Sequence, residues 1–506
     1  MKISNFFSPR IIIFLSAIFC FGTIGFAQNA VDALRLGEPG LGSDARALGM
    51  GNSYIGLSDG SGAAFFNPAG WGLLKSIEFT GGLNYNSFNN NTTFFGNNSS
   101  YSNSATRLSN LSIALPFPTV RGSMVFAVSY HTTKDFTGAL KFNGFNNTNT
   151  SMIQDLNSSV YYDNNNNPYN IPYDLYLTGA TFFNLQNEQF QTNMNGHLNQ
   201  SGTILESGSL HNWTFSGAVE ASKNLFVGLN LNFISGSYKN SNDYYEDDSH
   251  NLYSNTFLGT GDSSTLGFKT FYLGRVLNWD LSGWNLKLGL LYQIQNKARV
   301  GFTIQFPKTY TVKESYTVNG YSQFTDGSRV DLYSPDYSDK VKYDIVTPYE
   351  LGAGLSYNLE GLILSGQATL IDYTQLKFDN ADALGTDYVN KQNKYIKDYL
   401  RSVLDFNLGA EYTFPLIGLR VRAGYFVKPS PYQGDPFSFG KQYVTGGVGF
   451  LTSGNAEFDL AYAHGWWDTY GDNYGPYTIN NTEVAVSRTY QTIKDNRIIL
   501  SMTYRF

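Results

Sequence analysis

Apolar residues fall at every second position along much of this chain, in runs of about ten residues, with small or polar residues between them. The pattern is plainest at 226–233, where Val227, Leu229, Leu231 and Phe233 share one face and Gly228, Asn230 and Asn232 take the other. It returns at 361–370, where Leu362, Leu364, Ala368 and Leu370 stand opposite Ser365, Gln367 and Thr369. At 284–294 the apolar face is Leu286, Leu288, Leu290, Tyr292 and Ile294. A strand with lipid on one side and a lumen on the other reads this way. Only the N-terminus approaches the uncharged apolar length, about 18 residues or more, that a membrane-crossing helix needs. The pattern predicts strands near 75–85, 107–117, 122–134, 211–221, 224–236, 284–296, 298–310, 345–357, 361–374, 402–414, 418–428, 442–452, 455–465 and 495–506. Fourteen is an even number, as a bacterial barrel requires.

The connections sort by length. Pro116–Arg121, Ser222-Lys223, Lys297, Asn358–Glu360, Pro415–Ile417 and Ser453-Gly454 read as short turns. Between them lie long segments at 86–106, 135–210, 237–283, 311–344, 375–401, 429–441 and 466–494. Short and long alternate throughout, as in a membrane meander with tight turns on one side and loops on the other. A soluble sandwich or propeller has no reason to sort its connections so. The expected fold is all-β: a transmembrane antiparallel β-barrel of 14 strands over 75–506, with both chain ends on the periplasmic, short-turn side.

Lys2 and Arg10 flank an uncharged run from Ile11 to Phe26, and Gly25 and Ala27 place small residues at −3 and −1 of a cut after Ala27. Residues 1–27 therefore read as a secretory signal peptide rather than a retained anchor. Cys20, the single cysteine, lies within it, so the exported part folds without disulfides. Charged residues make up 15% and aromatics 16%, against a usual quarter charged. Mean hydropathy is nevertheless −0.26, because only alternate residues face lipid. The surplus Tyr and Phe suit girdles at the two membrane interfaces. A net charge of −6 excludes a strongly basic nucleic-acid binder.

Residues 28–74 are not barrel-like. They hold Gly37-Glu38-Pro39-Gly40, Ala45-Arg46-Ala47-Leu48-Gly49-Met50-Gly51 and Ala63-Ala64-Phe65-Phe66-Asn67-Pro68-Ala69-Gly70. A lumen of this size is too wide for the wall's own side chains to fill, and a small-residue segment of this length suits it. The run Ala45–Gly51 followed by Asn67-Pro68-Ala69 resembles the N-terminal hatch of the FadL/TodX outer-membrane transporter family. Thr347-Pro348-Tyr349-Glu350-Leu351-Gly352 resembles the entry to one of its middle strands. Arg422-Ala423-Gly424-Tyr425, Ser430-Pro431 and Asp459–Gly465 resemble its late strands. The last strand, apolar at Ile498, Leu500, Met502, Tyr504 and a final Phe506, resembles the signal read by the barrel assembly machinery.

The resemblance implies a monomeric, hatch-plugged channel for hydrophobic small molecules such as long-chain fatty acids or hydrocarbons. It places Asn67, Pro68 and Ala69 in the hatch and releases ligand laterally through a wall gap. Implied partners are that ligand, outer-membrane lipid and lipopolysaccharide, and the assembly machinery. No family ligand position matches at residue level. Segment 135–210 is Asn- and Tyr-rich where a fatty-acid channel carries an apolar capture groove, and the polar, oversized segments 135–210 and 237–283 keep open a scaffold or partner role in surface protein secretion.

The dyad points Lys287, Arg299, Asp405, Glu411, Arg420 and Arg422 inward. Glu411 and Arg422 face each other if the hairpin turns at Leu416-Ile417. Such arginines either receive a carboxylate ligand or build an internal salt-bridge ladder, and visible acids favour the ladder for Arg420 and Arg422. Lys287 and Arg299 lack a cross-strand acid and are the candidate ligand-binding cations. His131, His197, His211, His250 and His464 show no metal-ligand spacing. Gly56-Leu57-Ser58-Asp59-Gly60 matches a nucleophile elbow without its strand–turn–helix setting. Asp243, Glu246, Asp247 and Asp248 form either a solvated acidic loop or a Ca²⁺ site. Neither an enzyme nor a cofactor is expected.

Overall fold

The computed structural model describes residues 29–163, 165–178, 190–256, 258, 266–295, 297–452, 455–475, 477–479, 482–484 and 487–506. The expected signal peptide lies outside the described residues. Fourteen strands make the wall: β1 Glu78–Phe94, β2 Asn97–Phe117, β3 Met124–Asp135, β4 Asn199–Ser222, β5 Leu225–Asp247, β6 Phe268–Ile294, β7 Ala298–Gln305, β8 Glu350–Leu359, β9 Leu362–Asp372, β10 Ser402–Phe414, β11 Leu419–Lys428, β12 Lys441–Leu451, β13 Ala456–Asp472 and β14 Arg488–Arg505. Each pairs antiparallel with the next, and β14 closes on β1 from Glu78↔Arg505 to Thr93↔Tyr490. Closure removes the free edges that an open sheet would expose.

Alternation dictates what each face meets. Phe79, Leu83, Leu111, Ile113, Phe126, Phe215, Leu229, Leu288, Phe302, Leu355, Phe406, Leu408, Val448, Leu460 and Leu500 all point outward and are exposed. They ring the barrel on every side, which is the apolar band a lipid bilayer requires.

The long connections are mostly not loops. Residues 86–106 continue β1 and β2 into one tall hairpin, turned at Phe95 (φ 46°) and Gly96 (φ 82°). Two consecutive positive φ values give the tight turn whose twist matches the strands. Residues 199–210, 237–247 and 268–283 likewise extend β4, β5 and β6, and Thr309–Phe324 runs on beyond β7 to pair with β6. Phe306-Pro307-Lys308 separates β7 from that extension, since Pro307 has no N–H for the ladder. The apolar dyad ends where lipid ends, while the hydrogen-bonded ladder continues through Asn, Ser and Thr.

Inside the extended part, Met152, Ile153, Leu156, Ile171, Leu175 and Leu198 pack on Phe94, Phe142, Phe268 and Phe324, forming a core above the apolar band. Segment 135–210 thus carries apolar residues that face inward rather than outward. The C-terminus lies at the short-turn rim, where Phe506 N–H donates to Ile77 O (3.0 Å). Asn29 does not. It caps α1 (Ala30–Gly37), whose Ala33 and Leu34 are buried with Tyr238, Trp279 and Tyr310 deep inside the barrel. Loop alternation fixes where β1 begins, not the course of the chain before it.

Candidate functional site

The segment from α1 to Leu74 lies against inward-facing glycines. A Cβ on Gly409 of β10 would stand 2.2 Å from Met50 O, and one on Gly301 of β7 would stand 2.3 Å from Ile55 O. The corresponding contacts are 2.1 Å to Asn67 Oδ1 for Gly289, 2.3 Å to the Pro68 carbonyl carbon for Gly228, 2.7 Å to Gly56 N for Gly354 and 2.2 Å to Gly51 N for Gly424. The wall is glycine here because main chain meets main chain. Gly409→Ala is therefore expected to leave the ladder intact but lift the segment at Met50, costing about 1–3 kcal/mol as overpacking. Faster proteolysis within 41–74 would report it, and protection equal to the parent chain would refute the contact.

Polar side chains of β5–β12 hold the same segment. Asn230 Nδ2 donates to Ala64 O (2.7 Å), Ser356 Oγ to Gly56 O (3.0 Å), Ser365 Oγ to Ser53 O (2.7 Å) and Asn407 Nδ2 to Gly51 O (2.8 Å). Gln367 Oε1 accepts from Tyr54 N (3.0 Å) and Ile55 N (2.9 Å). Asn67, buried, caps the short helical turn Pro68–Leu73 by accepting from Ala69 N (3.1 Å). Its Nδ2 donates to Ile55 O and to Leu290 O of β6, both at 3.0 Å. The Asn-Pro-Ala tripeptide is thus a joint between segment and wall. Ser58 of the Gly-x-Ser-x-Gly match is spent locally, donating to Tyr54 O (2.6 Å).

Charge completes the attachment. Arg46, from α2 (Ala45–Gly49), donates to Glu411 through Nε and Nη2, both at 2.8 Å, and pairs with Asp59 at 2.7 Å. Glu411 also accepts from Arg422 Nε (2.6 Å), and Arg422 pairs with Asp459 (2.5 Å). The expected Glu411↔Arg422 register is present, and the two side chains belong to a ladder continued by Arg420, Glu457, Arg505 and Glu78. Burial would raise the Asp59 carboxyl, but Arg46 and Arg299 more than offset it and hold it well below the usual range. Arg299 finds its acid here, on the segment rather than on a neighbouring strand: Nη1 reaches Asp59 at 3.2 Å and Leu57 O at 2.9 Å. Arg46 is the residue that strand reasoning missed. A lone Arg among small residues, with no acid on its own helical turn, was the available signal.

Two cavities flank residues 38–41. The larger, about 380 Å³, is lined by Phe88, Phe136, Tyr238, Tyr373, Tyr432, Phe439, Tyr443, Trp467 and Tyr470, with Leu34 and Leu41, and also by Arg35, Asp135, Glu206, Asp405, Asp435, Asp495 and Arg497. Lys134, Lys428 and Lys441 converge at its base. Lys134 Nζ donates to Glu38 O (2.7 Å), Lys428 Nζ to Pro39 O (2.7 Å), and Lys441 Nζ pairs with the Glu38 carboxylate (2.5 Å). Burial pushes the Glu38 carboxyl up, but these three lysines override it and bring it down to about 2. The smaller cavity, about 100 Å³, has a mixed lining: Lys287, Lys308, His131, Asn52, Asn212, Glu350 and Asp405 with Leu36, Ile55, Phe65, Phe66, Leu210 and Tyr310. Lys287 Nζ donates to Phe65 O (2.6 Å) and stands 5.6 Å from the Phe65 ring centre. Lys287 borders this cavity, and Arg299 borders neither.

The acidic run 243–248 does not converge: Asp243, Glu246 and Asp247 lie on strand β5 and alternate sides, and Asp248 follows the strand and accepts from Leu252 N and Tyr253 N. Asp243 accepts from Tyr272 Oη (2.7 Å), whereas Glu246 turns inward and accepts from Ser151, Met152 N, Gln200 and Tyr244. Among the described residues no cluster of three or more His, Cys, Asp or Glu is placed to hold a metal ion.

No protein-family model matches the chain, and no curated protein matches it. Solved structures do. A FadL homologue of Pseudomonas aeruginosa superposes with a TM-score of 0.53 at 11% identity, covering 93% of this chain and 99% of that one. The toluene transporter TodX of P. putida superposes at 0.51 and 13% identity, covering 92% of this chain and 99% of that one. The shared feature is the fold: a closed fourteen-strand antiparallel barrel of FadL type.

Proposed function

We propose that this chain is a passive outer-membrane channel for hydrophobic small molecules, plugged by residues 28–74, with both short-turn rim and C-terminus in the periplasm. The observation that carries the reading is the 380 Å³ cavity inside a lipid-ringed barrel. Nine aromatic side chains bury apolar ligand surface, while Lys134, Lys428 and Lys441, with Arg35, Arg497 and five carboxylates (Asp135, Glu206, Asp405, Asp435 and Asp495), give the cavity polar groups for a ligand that also carries a polar end. Aromatic rather than aliphatic walls favour a ring-bearing compound over a bare alkyl chain. Asn67, Pro68 and Ala69 join the plug to β6, and Arg299 secures the plug; the cations nearest a ligand in this cavity are Lys134, Lys428 and Lys441, while Lys287 borders the smaller cavity. The likeness of the fold to a FadL homologue and to a toluene transporter supports this class.

Naphthalene fluorescence tests it. Purified protein is expected to bind naphthalene, and Thr469→Trp, which fills the cavity from β13, to weaken binding about tenfold or more, equivalent to about 1.4 kcal/mol. Unchanged affinity in the filled variant removes the cavity from the route.

A further inference from the structure

The larger cavity carries charge of both signs among its aromatic rings. Its charged lining, Glu38 included, is five cations and six carboxylates. All but two are engaged within the chain, as Arg35 is with Asp32 and Glu206, and Lys441 with Glu38. The two are Asp405 of β10 and Arg497 of β14, each 7% exposed. Lys428 faces Asp405 but donates to Pro39 O and Gly40 O. Asp135 and Asp495 flank Arg497 but are held by Arg107 and Tyr443. Among the described buried charged side chains these two alone have neither a hydrogen bond nor an ion pair, and both line this cavity. Water entering the cavity hydrates such a charge but supplies no opposite one, and buried charges are ordinarily paired. The ladder sets Arg497 level with Gly409 of β10, through Ala463, Thr445 and Gly424. Asp405 stands four residues further along β10, about 13 Å at about 3.3 Å per residue.

We infer that the ligand of this cavity is an extended zwitterion bearing aromatic rings, its ammonium on Asp405 and its carboxylate on Arg497, the chemistry of a short aromatic peptide. This rests on the cavity being the channel's ligand site, as proposed above, and adds charge to that ligand. Simpler ligands leave something uncompensated. A hydrocarbon satisfies the rings but seals both charges away from water unpaired. An anion gains Arg497 and meets Asp405, Asp435 and Asp495, whereas a cation gains Asp405 and meets three lysines. A net-neutral ligand charged at both ends matches a lining that is itself close to neutral in sum. Arg497 presents a carboxylate with the paired N–H groups of a guanidinium. Rings have their place beside it: Phe88 and Tyr443 stand with their ring centres 6.2 and 6.4 Å from that of Trp467, and Phe88 is two residues from Asn86, the ladder partner of Arg497. One α-carbon cannot set an ammonium and a carboxylate against groups so far apart, so the ligand is extended.

Calorimetric titration of the full exported chain in detergent tests this with phenylalanylphenylalanine, its N-acetyl form, its C-terminal amide and bibenzyl. These are a zwitterion, an anion, a cation and a pair of rings alone. The dipeptide is expected to bind at least about tenfold more tightly than each of the other three. Asp405→Asn should erase the preference over the N-acetyl form and keep that over the amide, and Arg497→Gln should do the reverse. A purely structural role for either residue would move all four affinities together. The four affinities of the parent chain carry the test if a variant does not insert. Equal binding of the dipeptide and a capped form, tighter binding of bibenzyl, or variants that shift every probe alike overturns the inference. Naphthalene and bibenzyl binding without the dipeptide sinks the zwitterion alone, whereas failure of every probe, naphthalene included, sinks the cavity's place in the channel with it.

Discussion

Removing residues 29–74 from the exported chain is expected to turn a silent barrel into a steadily conducting one. The wall is poorly placed to compensate, because six of its inward positions at this level, Gly228, Gly289, Gly301, Gly354, Gly409 and Gly424, carry no side chain to fill the gap. A fourteen-strand barrel emptied of its plug has an open lumen, so planar-bilayer current at fixed voltage should rise about tenfold or more over the intact chain. The ladder from β14 round to β1 does not involve the deleted residues, and the barrel should still insert. Glu411 and Arg422 lose Arg46 but gain water in the same step, which spares them the cost of a dry unpaired charge. Current indistinguishable from the parent chain would mean that the barrel is sealed elsewhere, above all by the core of Met152, Ile153, Leu156 and Leu175 over the apolar band. Deleting that cover instead should then produce the current.

What the sequence made legible follows from which solvent each residue meets. The lipid band imposes a strict dyad, so Val227–Phe233 or Leu362–Leu370 reveals both a strand and its orientation. Above the band the outward face meets water, Asn and Ser serve both faces, and the hairpin of β1 and β2 reads as a loop although every residue from 78 to 94 is paired. Hairpin pairs such as Glu411 and Arg422 were visible because a short turn fixes their register. Arg46 with Glu411, or Lys441 with Glu38, was not, since only the folded lumen brings such distant positions together. The aromatic cavity was hidden for the same reason: Phe88, Tyr238 and Trp467 sit on three separate strands, each looking like one more girdle residue.

Glu411→Gln is expected to be among the most damaging single substitutions in the molecule. Glu411 is 1% exposed at its side chain and lies between two guanidiniums, Arg46 of the plug and Arg422 of the wall, the latter fully buried. An amide keeps one acceptor oxygen but turns an N–H₂ toward cations that have nothing to accept it. Breaking one partner of a buried ion pair costs about 3–5 kcal/mol, and the lower end applies here because Arg46 keeps Asp59 and Arg422 keeps Asp459. Arg420→Ala is the matched control. Arg420 is 19% exposed and its acid Glu457 retains Arg505, so the loss should be smaller than that at Glu411. Denaturant unfolding followed by tryptophan fluorescence separates the two, and an equal effect would show that the Arg46–Glu411–Arg422 bridge does not fasten the plug. Position also matters to function: with Glu411 neutralised the plug loses its ionic attachment to β10 while Asn67 still holds it to β6. The variant should therefore flicker open in the bilayer rather than conduct steadily, distinguishing an unfastened plug from an absent one.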